Sequence, residues 1–191
     1  MPLSSEPTPE TTLEIGRLCQ AWAFLEHVSE AALCGIIGAD ERLARIFTWR
    51  LDLRSKWQLI VEQAPSKHSP QEVADLKGIN KQLVIVTRDR NIVVHGVVNA
   101  TAAIATNLPP PGTIIHELGA TIPFGRVPCW TLFRGAEAGR NFMISHKAVE
   151  IVRANIQNLS KRVLRFNATH NYRSVTKLED VVQSDWPVPI E

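Results

Sequence analysis

Cysteine, long apolar runs and excess charge are all scarce in this chain. Its three cysteines (Cys19, Cys34, Cys129) are scattered over 191 residues and form no short paired spacing. That excludes a disulfide framework and fits a protein of the reducing cytoplasm. No apolar run approaches the ~20 residues of a membrane span, so no membrane partner is expected. No secretory leader is expected either, because the first basic residue is Arg17 and an acidic, proline-rich stretch precedes it. The six histidines show no metal-ligand spacing, and no phosphate-cradling glycine motif such as GxxxxGK[ST] occurs, so neither metal nor cofactor is expected. With a formal charge of only +2, the chain does not look like a protein that coats nucleic acid indiscriminately.

What is present is an ordinary globule's composition, 45% hydrophobic and 21% charged, long enough to bury a core without staples. The near-neutral total hides an asymmetry. Residues 134–173 carry eight basic side chains (Arg134, Arg140, Lys147, Arg153, Lys161, Arg162, Arg165, Arg173) against Glu137 and Glu150. A local positive face of this kind suits a polyanionic partner. It equally suits a solvated helix face whose charges are balanced elsewhere in the fold.

Helical periodicity dominates the rest. Residues 1–11 are Pro/Ser/Thr/Glu-rich and read as a frayed tail. From Thr12 to about Ile37, Ile15, Leu18, Trp22, Leu25, Val28, Ala32 and Ile36 fall three or four apart, with Gly38 as a stop. Asp40 is placed to cap a second helix that runs to about Gln63, before Ala64-Pro65. Ser69-Pro70-Gln71-Glu72 is a capping box that opens a third helix. The seam of that helix is Leu76, Ile79, Leu83, Val86, Arg90, Val93, Val97. Residues 98–135 break the pattern: Thr113–Leu118 and Val127–Phe133 are β-prone and separated by Gly and Pro, suggesting a hairpin. Ser145 is placed to cap a fourth helix, with Ile144 and Val149 as a hydrophobic staple and a seam of Val149, Val152, Ile156, Leu159, Val163 and Phe166. The predicted fold is therefore all-α: a four-helix up-and-down bundle over 12–166, with a small β-hairpin-like insertion at 98–135 between helices three and four. A C-terminal extension, 167–191, follows.

One residue set in this frame carries chemistry. Arg90 occupies a seam position, where a guanidinium is costly unless it is partnered. Asn91 and His95, four apart, share a helix face, and Arg90 is about 100° round from Asn91. Imidazole near its own pKa can exchange a proton with a ribose 2′-hydroxyl. A guanidinium can neutralise charge gathering on phosphoryl oxygens. The 2′-hydroxyl as internal nucleophile restricts such a reaction to RNA. At this chain's own composition, R-N-x3-H is expected by chance about 0.02 times. The looser R-x(4–6)-H spacing also occurs at Arg140…His146 and Arg165…His170, but His146 reads as an exposed first-turn residue and the second pair sits at a helix end. A structural role is the competing reading, with Arg90 paired to an inward acid such as Asp52 or Glu62. Cys129 with His116 has no orienting third group and is set aside as a nucleophile pair.

Arg90-Asn91-x-x-x-His95-Gly96 on a long third helix resembles the R-polar-x(3–5)-H motif of the HEPN superfamily. The resemblance extends faintly to Arg54-Ser55-Lys56-Trp57 and to the last helix. It implies catalytic Arg90 and His95 with Asn91 in support, and metal-independent cleavage of RNA, single-stranded rather than duplex, to a 2′,3′-cyclic phosphate. It also implies a homodimer in which two motifs share a cleft, and the toxin–antitoxin or antiphage setting in which an antitoxin protein is a partner. Arg88, Arg54 and Lys56 are then the expected substrate-binding residues. The alternative is a non-catalytic helical module for dimerisation or for nucleotide or RNA binding.

Overall fold

The computed structural model describes residues 9–38, 46, 48–95, 97–99, 115–118, 129–131, 141–144 and 146–172, with the strands before Ile144 described by their backbone pairing. Most of these residues are helical. Among the described residues the continuous helices are α1 Pro9–Ile37, α2 Leu53–Gln63, α3 Pro70–His95 and α4 His146–Thr169, with a 3-10 turn at Ala64–Ser66, and Ile46 and Thr48 are also helical. No helix among the described residues is long and apolar enough to cross a membrane.

The chain divides into two compact units, Met1–Trp22 with Ile85–Ile156 and Ala23–Val84 with Gln157–Glu191. The core of the second unit is the predicted stripe pattern made real. Leu25, Val28, Ala32 and Ile36 of α1, Trp57 and Ile60 of α2, Leu76, Ile79 and Leu83 of α3, and Leu159 and Val163 of α4 are all buried. Each side chain of this size removed from water contributes about 1.5–3 kcal/mol before chain entropy is set against it. Four polar contacts join these segments. The Trp57 indole Nε1 donates to Ser29 Oγ at 2.9 Å, and Asn167 Nδ2 donates to the Val28 carbonyl at 2.9 Å. Lys56 and Thr48 both donate to the Glu30 carboxylate.

In the first unit Leu18, Trp22, Val86, Ile92, Val93, Val149, Val152 and Ile156 are buried. Here the α1 stripe is broken by function of charge rather than by apolarity. Glu14 is 2% exposed, while Ile15 is only half-buried. The Glu14 carboxylate accepts from Arg153 Nε of α4 and lies 3.5 Å from Arg17 Nη1. Part of the basic segment is thus neutralised internally.

Helix ends follow local side-chain chemistry. The capping box of α3 is reciprocal: Ser69 Oγ donates to Glu72 Oε2 at 2.8 Å, and the Glu72 amide donates to Ser69 Oγ at 3.4 Å. The start of α2 differs from the expected one. Asp52, not Asp40, is its N-cap, with Oδ1 accepting from the Ser55 amide at 2.7 Å. A turn at Trp49–Arg50 precedes it, because an aspartate that captures the amide three residues on competes with helix continuation. Asp40 itself lies outside the described residues. Ile46, helical but outside α2, is 59% exposed. The tail is also shorter than expected at its inner edge, since α1 begins at Pro9 and Thr11 is buried. At the other end α3 stops at His95, and Val97, expected in the seam, opens a strand instead.

The strands are β1 Val97–Asn99, β2 Ile115–Leu118, β3 Cys129–Thr131 and β4 Asn141–Ile144, in the sheet order β1-β3-β4-β2 with every pair antiparallel. The two segments expected to form a hairpin do supply strands, but both pair with β4, one on each side: Ile115 opposite Ile144, and Trp130 opposite Phe142. The rest of 98–135 and Ser145 lie outside the described residues, as does the C-terminal extension beyond Tyr172.

Candidate active site

The last two turns of α3 bring the three motif residues together. Arg90 Nη1 donates to Asn91 Oδ1 at 3.0 Å and lies 2.9 Å from His95 Nε2. Local geometry explains the meeting. A long guanidinium side chain can lean along the helix and reach the imidazole on the following turn, which a shorter cation could not. Beneath it lies Trp22 of α1, with the Arg90 Cζ 5.2 Å from the ring centroid. A cation over an indole face gains about 0.5–2 kcal/mol. Trp22 is therefore both a core residue and the floor that sets the height of the cation.

The electrostatics define the state of His95. A guanidinium has only donors, so the Nε2 facing it must present a lone pair, and the imidazole is neutral with its proton on Nδ1. Partial burial, and secondarily the Arg90 charge, hold His95 below the usual histidine pKa. A histidine depressed on folding binds fewer protons folded than unfolded, so its contribution is present above about pH 6.5 and is lost as pH falls below it. Wild type is therefore expected to lose more melting temperature than His95→Gln between about pH 7.5 and 5. Parallel melting curves across that range check this. An unchanged difference between the two proteins would show that His95 carries no such shift.

The acids considered as seals for Arg90 are engaged elsewhere. Asp52 caps the Ser55 amide and Glu62 accepts from Gln58 Nε2 at 3.1 Å, both in the other unit. Both Arg90 bonds are made by Nη1, and a guanidinium carries five N–H donors, so capacity for a phosphate oxygen remains.

Of the expected substrate-binding residues, Arg88 lies exposed one half-turn earlier on α3, in the same unit as Arg90. Arg54 and Lys56 belong to the other unit. Arg54 is exposed on α2, whereas Lys56 is mostly buried in its ion pair with Glu30. The rival spacings are also resolved. His146 is exposed, with its Nε2 3.4 Å from Glu150 on the same helix. His170 lies 3.0 Å from Glu72, while Arg165 is exposed. The other half of the first rival, Arg140, lies outside the described residues, as do the side chains of Cys129 and His116.

The histidine spacing concealed a second cluster. His68, Glu72 and His170 converge in the unit of α2, the only such group of metal-type side chains among the described residues. His68 and Glu72 are four apart at the start of α3, a half-signal visible in the sequence. His170 is almost a hundred residues away, and only the end of α4 brings it back. No family model, no curated protein and no solved structure matches the chain.

Proposed function

We propose that the chain is a metal-independent endoribonuclease of HEPN type, with Arg90 and His95 catalytic and Asn91 orienting the arginine. The observation that carries this reading is the convergence of Arg90 Nη1 on Asn91 Oδ1 and His95 Nε2 at 3.0 and 2.9 Å. A substrate phosphate competes with His95 for the guanidinium. As Arg90 turns to the phosphate, the Nε2 lone pair is released at the moment a base is needed.

His95 Nε2 then takes the proton of the ribose 2′-hydroxyl, the 2′ oxygen bonds to phosphorus, and the bond from phosphorus to the 5′ oxygen breaks. The imidazolium returns its proton to that leaving oxygen. The products are a 2′,3′-cyclic phosphate and a 5′-hydroxyl. Arg90 offsets the charge that accumulates on the phosphoryl oxygens, and Arg88 offers a further cation to the strand. Single-stranded RNA fits this scheme better than duplex, because in-line attack needs a backbone free to turn. In the fuller form of this reading the helices make an up-and-down bundle, two copies pair so that their motifs share a cleft, and a cytoplasmic antitoxin protein restrains a toxin or antiphage effector.

A second reading rests on Trp22. Its stacking under Arg90 gives the arginine a packing role that a non-catalytic module for dimerisation or RNA binding could retain.

Incubation of purified protein with total RNA in EDTA, followed by end-group analysis, separates the two. Wild type is expected to generate cyclic phosphate ends and His95→Ala to lose about 10²–10⁴-fold in rate. Equal degradation by both proteins, or by neither, overturns the catalytic reading.

A further inference from the structure

The second cluster is built more firmly than a chance grouping of polar side chains. One Nδ1 or Nε2 from each of His68 and His170 and a carboxylate oxygen of Glu72 all lie within 4.8 Å of one another. His170 Nε2 is 3.0 Å from Glu72 Oε1, and His68 Nδ1 is 3.9 Å from Glu72 Oε2. We propose that His68, Glu72 and His170 bind one divalent transition-metal ion of borderline softness, zinc being the first candidate, with a coordination position left open.

Three observations carry the assignment. The first is an unmet polar atom. The His68 side chain is 3% exposed, and its buried Nδ1 has no hydrogen-bond partner among the described residues. Leaving such a group unsatisfied in the folded state is costly. Its other nitrogen, Nε2, lies 3.0 Å from Tyr172 Oη. If Nε2–H donates to the tyrosine oxygen, Nδ1 presents a bare lone pair toward Glu72 and His170. That is the tautomer a metal requires, fixed by a partner outside the ligand set, as metal-ligating histidines generally are.

The second observation is the preorganisation of the other ligands. Glu72 is held by the capping box, accepting from the Ser69 amide at 2.9 Å and from Ser69 Oγ at 2.8 Å. His170 and Tyr172 are placed by the way α4 ends. Asn171 takes the left-handed conformation at φ 59. The Tyr172 amide donates to the Asn167 carbonyl at 2.8 Å and the Asn171 amide to the Ala168 carbonyl at 3.3 Å. This is a Schellman closure, which turns the chain back over the helix end. Gly35 makes room for it, since a Cβ there would come within 2.2 Å of the Tyr172 ring. The imidazoles of His68 and His170 then meet edge to face, with centroids 4.4 Å apart.

The third is donor chemistry. Two imidazoles and one carboxylate are the ligand set of open zinc sites, whereas magnesium and calcium favour all-oxygen sets. The ligands come from the start of α3 and the end of α4, so a bound ion would tie the two together and stabilise the unit that contains them.

The test uses full-length protein stripped with EDTA and titrated with ZnCl2 by calorimetry and with Co²⁺ by visible absorption. The expected result is one ion per chain and a d–d spectrum of low-symmetry, nitrogen- and oxygen-ligated Co²⁺. The melting temperature should rise by about 5–10 °C at free zinc a hundredfold above Kd. Glu72→Gln and His170→Ala should each weaken binding by about 100-fold or more, and His146→Ala, which removes an exposed histidine elsewhere, should leave it unchanged. Should His170→Ala fail to fold, His170→Gln with the Co²⁺ spectrum gives the same comparison. No stoichiometric binding, binding that survives loss of His170, or binding lost with His146 overturns the proposal, and none of these outcomes bears on RNA cleavage.

Discussion

Arg90→Ala is expected to slow the proposed RNA cleavage by about 10²–10³-fold, the cost typical of removing one preorganised group that stabilises transition-state charge. It should also change the shape of the pH profile. The Arg90 charge is the second cause, after partial burial, that keeps the His95 pKa low. Without it the pKa moves back up toward about 6.5. In the proposed mechanism His95 serves as the base only when neutral, so the acid limb of the profile should move to higher pH, and the variant should lose further activity in weakly acidic buffer. Arg90→Lys separates the two contributions. Lysine keeps a positive charge but offers a compact ammonium in place of a planar fork. It should leave the acid limb near its wild-type position while still losing rate, because a compact ammonium cannot span the phosphate and Asn91 as the planar fork does. Single-turnover cleavage of a short single-stranded RNA across about pH 5 to 9 reads both effects. Wild-type rates for Arg90→Ala at its own pH optimum would remove the arginine from the mechanism.

The arrangement that prediction depends on was partly visible in the sequence. A seam position occupied by arginine, followed at once by asparagine and five later by histidine, is local information, and helix geometry converts it directly into proximity. The Trp22 floor was not legible in the same way. Trp22 fits the α1 stripe as a core residue, and nothing in the spacing shows that its ring also lies under a cation contributed some seventy positions later. Glu14 illustrates the converse. Periodicity places Ile15 inward, yet the buried residue is Glu14, because Arg153 reaches it from α4 and a partnered charge can outcompete an apolar neighbour for an inward site.

The start of α2 shows what apolar spacing does not mark. Within the span read as one helix, the Ser55 amide donates to Asp52, and a turn at Trp49–Arg50 precedes the helix that Asp52 caps. The metal-type cluster lay beyond sequence reading for a topological reason. Its His68–Glu72 half is local, but its third member depends on how α4 terminates, through a left-handed Asn171 that no apolar period signals. The strands show the same limit, since β-propensity located Ile115–Leu118 and Cys129–Thr131 but not the β4 partner that lies between them.

The largest loss of stability is expected from Trp57→Ala. Trp57 is completely buried, and its indole is held by the 2.9 Å bond to Ser29 Oγ. Truncating a buried tryptophan removes its transfer free energy and leaves a cavity that the surrounding helices close only in part, together about 3–5 kcal/mol. The Ser29 hydroxyl, itself fully buried, also loses its donor. For a chain of this length each kcal/mol lowers the melting temperature by about 2–4 °C, so the expected fall is about 6–20 °C. Two milder variants apportion it. Trp57→Phe keeps most of the apolar volume but strands the hydroxyl, and Ser29→Ala strands the indole N–H, each costing about 1–3 kcal/mol. The double variant Trp57→Phe/Ser29→Ala removes both polar partners at once, so it should cost less than the two single changes added together. Denaturant and thermal unfolding of the four proteins measures the cycle. A fall of less than about 2 °C for Trp57→Ala would mean that the indole is not the keystone of its unit. Strict additivity of the milder pair would mean that the hydrogen bond contributes nothing beyond the volume of its partners.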